Sequence, residues 1–536
     1  MSDLTRRRLL LSLAAGAAAA VLPAGRARAL AVVTGFRLGV AEAAAQDAVL
    51  SAFYRGRNFE PLWAGNDPVE VARRNALLSA MAETPLHGFG TARHDPQALL
   101  RLLTEARTPY DQGRAEVEMS RALLRLASDL GRGMLVPGET DPHIKREAMA
   151  ADPLALLTVF PSEDPEVFLR DLWPRTPEYA RLLRERMRLD QVIRAGGWGE
   201  TVPGGRLEPG MTGTAVLRLR DRLIAMGYLR PTARARYDAA LAEAVSRFQA
   251  DHGLEPDGIA GDGTLREINL GPAERLRSVL VALERERWNA APRGQRHIWV
   301  NLPDFSAEIV DDDAVTFRTR AVIGAVEEHR QSPEFSDQME YMVINPSWFV
   351  PRSIIVREYL PQLQRNPNAA GHLRITDSAG RLINRAAVDF SRYSASSFPF
   401  AMHQPPGPNN ALGEVKFMFP NPWNIYLHDT PARDLFAREV RAFSHGCIRL
   451  QRPREFAYHL LARQTDDPEG FFARHLQSGA ETRVDLEEPV PVHLEYRTAF
   501  TKVRGGLQFR RDIYGRDGRI WEALAARGVE AAPLQG

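Results

Sequence analysis

The sequence predicts a multidomain α+β protein: a helical scaffold, a small three-helix module, then a mostly β domain with a capping insertion. Three observations predict it. A chain of 536 residues exceeds what one hydrophobic core organises, so two to four domains are expected. Apolar positions recur at helical spacing through the first half and alternate along strand-like runs after about Ile298. Gly- and Pro-rich punctuation separates the two textures, as at Gly196 to Gly205.

Each element has its own signature. Arg6, Arg7 and Arg8 precede an apolar run from Leu9 to Leu22, and Ala27-Arg28-Ala29 supplies a small-x-small cleavage site. Residues 1–29 therefore read as an export signal, and Arg6-Arg7-Arg8-Leu9-Leu10 is similar to a twin-arginine signal; an ordinary secretory signal is the alternative. The run is shorter than the roughly 20 residues of a membrane span, so the mature form is expected to begin near Leu30 without a stable one. The signal holds five Arg and one Asp, so the overall charge of +2 becomes about −2 without it. No basic excess remains to suggest nucleic acid.

Residues 30–200 carry the helical scaffold. Ser120, Leu123, Leu124, Leu126 and Leu130 lie on or near one face of a helix expected to end at Pro137-Gly138, while Trp63 and Trp173 read as core. Within 207–270, Val216, Leu219, Leu223 and Met226 recur at helical spacing up to Gly227. Leu241, Val245 and Phe248 do so up to Gly253, and Asp257-Gly258-Ile259-Ala260-Gly261 turns into a short third helix. An Arg- and Glu-rich helix ending near Trp288 leads to a mostly β domain over 294–484. Inside it, residues 352–408 have few strand signals and suit a lid, with Ile354 to Leu363 helical. Residues 485–536 form a C-terminal segment expected to return to the scaffold or the sheet edge.

The chemistry concentrates in Tyr426-Leu427-His428-Asp429-Thr430 and, thirteen residues on, Ser444-His445-Gly446-Cys447-Ile448-Arg449. Cys447 is the only cysteine, and in an oxidising compartment an unpaired thiol needs a reason. A thiolate nucleophile requires a base within reach and donors for the oxyanion it creates. His428, at the end of a strand expected over Trp423 to Leu427, supplies the proton acceptor and donor. Gly446 lets the backbone turn closely, so that the Gly446 and Cys447 N–H groups can face an oxyanion, while Ser444 and His445 brace the loop. Arg449 offers a planar fork for a substrate carboxylate, and Tyr426 and Trp348 are candidate pocket walls. His428, Asp429, His445 and Cys447 do not have a common zinc spacing, so neither metal nor cofactor is expected.

These motifs resemble the active site of the L,D-transpeptidases, the family with the YkuD-type catalytic domain, in which a His precedes Ser/Thr-His-Gly-Cys by about fifteen residues. Arg449, where many members have Asn, is similar to the large YcbB-like Gram-negative subgroup. So are Asn345-Pro346-Ser347-Trp348, Gln404 to Pro408, Asn410 to Gly413 and Lys416 to Pro422. Gly253-Leu254 and Asp257-Gly258-Ile259 resemble the common peptidoglycan-binding module. The resemblance implies a periplasmic enzyme, sensitive to carbapenems, whose partners are tetrapeptide stems as donor and acceptor. Cys447 would release D-Ala, hold a thioester and pass the acyl group to an amine, giving a 3→3 cross-link. It also implies that a backbone carbonyl, not Asp429 as a triad acid, orients the base. The alternatives are an L,D-carboxypeptidase or endopeptidase in which water resolves the thioester, and a non-catalytic wall-binding scaffold.

Overall fold

The computed structural model describes residues 35–148, 151–289, 293–502 and 506–532. The expected export signal lies outside them. The chain forms two compact units, the first built from stretches within 35–82, 94–127 and 151–171 and the second from the remainder. Among the described residues no helix is long and apolar enough to cross a membrane.

The first unit is helical, and its core turns on one buried acid. Ser120, Leu123, Leu126 and Leu130 are buried along the helix Pro109–Arg132. One turn before Ser120 the Glu116 carboxylate accepts the N–H groups of Leu62 (2.7 Å), Trp63 (2.9 Å) and Ala64 (2.8 Å), and the Tyr54 hydroxyl (3.0 Å). Burial pushes the Glu116 carboxyl up, and the backbone donors act against that shift. The helix stops at Arg132 rather than at Pro137, because Gly133 takes the left-handed conformation at φ 82°; Pro137 instead opens a short helix to Thr140. Trp63 is core as expected, whereas Trp173, in the second unit, is half-buried and stacks on His87 at 3.5 Å.

In the second unit the small module packs helices Thr214–Ala225, Ala239–Asp251 and Asp262–Asn269 around Leu219, Leu241, Phe248 and Ile268. Its turn shows why the sequence reads Asp-Gly. Gly258 has φ 72°, a Cβ there would meet the Ala242 carbonyl oxygen at 3.0 Å, and its N–H donates to the buried Gln249 side chain at 2.8 Å.

The β domain is a sheet closed on itself. Strands β1 (Arg296–Asn301), β2 (Ser306–Asp311), β3 (Ala314–Gly324) and β4 (Phe335–Ile344) come before the insertion. The insertion adds β5 (Trp348–Phe349), β6 (Arg374–Thr376) and β7 (Ala401–Gln404). Then follow β8 (Val415–Met418), β9 (Leu427–His428), β10 (Ala442–Ser444), β11 (Ile448–Leu450) and β12 (Thr482–Glu495). The order β3-β11-β9-β8-β4-β12-β1-β2 returns to β3 through the β2–β3 pairing, with β10 added beside β3. Phe417, Phe335, Val492 and Ile298 lie in its core.

Two expectations are corrected here. The strand β12 runs through 484/485, and its second half lies between β4 and β1 instead of at an edge. The exposed Glu487-Glu488-Pro489 lies in a register shift within that one strand. The insertion is more than a polar lid: β5, β7 and β6 form a separate sheet over a core of its own that includes Ile355, Leu363, Phe390 and Met402. Beyond β12, strands β13 (Ala499–Thr501) and β14 (Leu507–Phe509) pair with each other, and the helix Arg516–Ala525 closes the chain.

Replacing Glu116 by Ala should leave three buried N–H groups without an acceptor, at roughly 1–3 kcal/mol each. Amide exchange across Leu62 to Ala64, read by mass spectrometry, is expected to accelerate at least about 100-fold; unchanged protection would show that Glu116 is not the hub.

Candidate active site

The parallel pairing of β9 with β11 brings the two motifs together, with Leu427 opposite Ile448 and His428 opposite Arg449. The strand before His428 is shorter than expected. The Asn421 side chain accepts the N–H groups of Trp423 and Ile425 at 3.1 Å, and Asn424 turns left-handed at φ 55°, so residues 421–426 form a turn.

Cys447 sits in the loop between β10 and β11. Gly446 has φ 115°, which a side chain would strain. Ser444 braces the loop from within, its hydroxyl donating to the Cys447 carbonyl at 2.6 Å and accepting the Gly446 N–H at 3.1 Å. That leaves the Cys447 N–H as the loop donor without an acceptor among the described residues, so one of the two expected oxyanion donors is already engaged. His445 does not brace the turn. Its Nε2 meets the Glu358 carboxylate of the insertion, in a segment, Ile355–Tyr359, wound as a π-helix.

The thiol points at the Asn424 carbonyl, 3.6 Å away. His428 Nδ1 lies 2.5 Å from the Asp429 carbonyl oxygen, which can only accept, so Nδ1 carries the proton and Nε2 keeps its lone pair. The Asp429 carboxylate is turned elsewhere, to the N–H groups of Glu414 (2.9 Å) and Thr430 (2.6 Å) and to Arg433 (2.7 Å). No hydrogen bond joins Cys447 to His428 among the described residues. Arg449 has no carboxylate partner among them, and its buried Nε has no acceptor. Trp348 stands apart in β5, packed edge-on against Tyr359 of the insertion at 6.5 Å.

Parts of the chain are similar to known proteins. Residues 295–484 match the family model described as the L,D-transpeptidase catalytic domain, YkuD. Residues 48–185 match the scaffold domain, and residues 212–268 match the "Putative peptidoglycan binding domain". The chain carries a YkuD-type L,D-transpeptidase catalytic domain. A Haemophilus influenzae protein named "Putative L,D-transpeptidase" is 30% identical over 242 residues, 45% of this chain; the match spans 48% of that relative, about half its length. Among solved structures, an L,D-transpeptidase of Xylanimonas cellulosilytica is 15% identical at a TM-score of 0.17, covering 55% of this chain and 98% of that one. Another, from Stackebrandtia nassauensis, is 13% identical at 0.21, covering 56% and 98%.

Several residues of this L,D-transpeptidase domain's site carry no sequence signal of their own. Ser332, after β3, donates to the Gly446 carbonyl at 2.6 Å and accepts the Gly324 N–H at 2.9 Å. Tyr514, from the C-terminal segment, donates to the Gly324 carbonyl at 2.5 Å, and Arg516 reaches the Ser332 carbonyl at 2.7 Å. The nucleophile loop is thus held from more than sixty residues away in sequence, beyond the reach of spacing arguments.

Electrostatics set the resting state of the pair. Burial pushes the Cys447 thiol up to about 11, against Tyr426 and Arg449, which pull it down. Burial, with Arg449 and Lys416 adding repulsion, pulls His428 down to about 3. Lys416 lies opposite His428 in the β8–β9 register. Between those values both groups are neutral, and a thiolate forms only as its proton is taken. Iodoacetamide alkylation of Cys447, followed by intact mass, should therefore rise about tenfold per pH unit from about pH 7 to about pH 10. A plateau reached below about pH 8 would mean a stabilised resting thiolate and overturn this account.

Proposed function

We propose that this chain is an exported, extracytoplasmic L,D-transpeptidase that forms 3→3 peptidoglycan cross-links through a thioester on Cys447. The observation that carries the reading is the parallel pairing of β9 with β11, which brings His428 beside the loop that holds Cys447, with His428 Nδ1 held by the Asp429 carbonyl. The family of residues 295–484 and the module at 212–268 support peptidoglycan as the substrate.

In this reading the donor is a tetrapeptide stem. His428 Nε2 takes the Cys447 proton as sulfur attacks the carbonyl at the L-centre of the third residue, and the Cys447 N–H faces the oxyanion. The C–N bond breaks, D-Ala leaves with the proton from His428, and the acyl group stays on sulfur. Arg449, without an acid partner of its own, receives the carboxylate of the leaving residue, and Tyr426 keeps the thiol aimed. An amine of a second stem, deprotonated by His428, then attacks the thioester and regenerates the thiol.

The contact between His445 and Glu358 ties the insertion to the nucleophile loop and supports a cap that keeps water from the thioester. Hydrolysis, the competing outcome, is then a matter of cap closure rather than of different catalytic groups.

Replacing Cys447 by Ala should abolish enzyme-dependent 3→3 dimers and covalent carbapenem labelling, and His428→Ala should slow acylation by roughly 10²–10⁴-fold. Muropeptide chromatography and intact mass read both, and dimers formed by Cys447→Ala would refute the mechanism.

Replacing Glu358 by Gln should leave acylation within about twofold yet shift thioester resolution toward water, at least threefold in the ratio of hydrolysed stem to dimer. An unchanged ratio would remove the insertion from acceptor choice.

A further inference from the structure

A cavity of about 460 Å³ opens between the three-helix module and the closed sheet, and none of the residues of the Cys447 loop lines it. Five arginines face it against three carboxylates. The carboxylates are already engaged. Asp304 takes both Arg510 and Arg318, Glu255 faces Arg320 at 3.5 Å, and Glu439 pairs with Arg511 at 2.6 Å.

Two guanidinium groups are left without an acid inside the cavity. Arg452 reaches Glu455, which does not line it, at 3.1 Å and lies over the Phe317 ring. Arg441 has no carboxylate within 4.0 Å among the described residues. It donates only to the main-chain oxygens of Arg438 (2.9 Å), Ala321 (3.3 Å) and Phe305 (3.3 Å), over the Phe305 ring at 5.1 Å. Burial pulls Arg441 down to about 10, and the neighbouring Arg320 adds repulsion that Asp304 and Glu255 oppose. An anion in the cavity would relieve that crowding.

The directions of approach narrow the ligand class. Arg320 comes from β3, Arg441 from just before β10 and Arg452 from just after β11, so the donors reach the cavity from separate elements. A tetrahedral oxyanion uses such donors better than a flat carboxylate does. We propose that this cavity binds a phosphate group, held by Arg441 with Arg320 and Arg452. Free phosphate and a phosphodiester polymer of the envelope both present such oxygens. Arg441 leads directly into β10, whose last residue, Ser444, braces the nucleophile loop, so an occupant would steady that strand.

The test is isothermal titration of inorganic phosphate into the full chain at constant ionic strength, with chloride making up the balance. Saturable binding is expected, weakened about tenfold or more in Arg441→Gln and unchanged in Arg449→Gln, which reports on the candidate active site instead. Arg452→Gln, whose side chain is half exposed, is the second variant should Arg441→Gln fail to fold, and it is expected to weaken binding in the same direction. Repeating the titration with an oligomeric glycerol phosphodiester tells the two sources apart: tighter binding than phosphate assigns the site to a polymer, and weaker binding assigns it to the free ion. Absence of saturable heat with both probes, or binding lost in Arg449→Gln and kept in Arg441→Gln and Arg452→Gln, overturns the proposal.

Discussion

Glu284, Arg285, Glu286 and Arg287 follow one another in the helix Pro272–Trp288, and all four are buried. A charge inside a protein is tolerated only when it is paired, because removal from water costs several kcal/mol per ion. Each of these finds its partner. Arg285 bridges Glu334 at 2.8 Å and Asp517 at 2.7 Å, Arg287 pairs with Glu284 at 2.8 Å, and Glu286 takes Arg497. The partners come from β4's leading edge, the end of β12 and the last helix, so one helix fixes the closed sheet and the C-terminal segment together. Losing a single member would strand a charge at about 3–5 kcal/mol, which makes the network a constraint on geometry more than a source of net stability.

That constraint reaches the nucleophile. Glu334 is also held by Arg516 at 3.1 Å, and Arg516 in turn holds the Ser332 carbonyl. Ser332 then fixes Gly446, next to Cys447. The route consists of hydrogen bonds and ion pairs between buried groups, so a shift at the helix has few ways to be absorbed before it reaches the loop. The C-terminal segment belongs to the site for this reason, although none of its residues supplies the chemistry proposed for Cys447 and His428.

Reactivity at the site is restrained by the same burial that shapes it. Desolvation keeps Cys447 a thiol and His428 an imidazole, the pairing that costs least inside protein. Arg449 is the nearest counterweight, favouring a thiolate while opposing an imidazolium. A substrate carboxylate on Arg449 would reverse the second effect, so donor binding itself would make His428 a better base. In an oxidising compartment a lone cysteine kept protonated is also less open to oxidation.

Much of the architecture was legible because it is written in short-range patterns. Val216, Leu219 and Leu223 repeat at helical spacing, and Gly258 stands where only a left-handed turn fits. Ile298 and Val300 alternate along β1, and the motif around Cys447 points to a chemistry of its own. Local errors came where a side chain outbid the pattern: Asn421 captures the amides that would have extended the strand before His428, and Glu487-Glu488-Pro489 hides the continuity of β12. The Pro137-Gly138 pair likewise suggests the end of the scaffold helix, when Gly133 ends it.

The sequence by itself determined the candidate residues for chemistry and the helical and strand-like stretches, because propensity, turn geometry and motif spacing act over a few residues. Only the tertiary structure decided that the sheet closes through β2 and β3, that Tyr514 and Ser332 carry Gly446, and that His445 turns to Glu358 instead of bracing its own loop. The hydrogen bonds among these join groups 87 to 190 residues apart, and the β2–β3 hairpin closes the sheet only because β3 also meets β11 and β1 meets β12, far along the chain; no local preference encodes a partner at that distance.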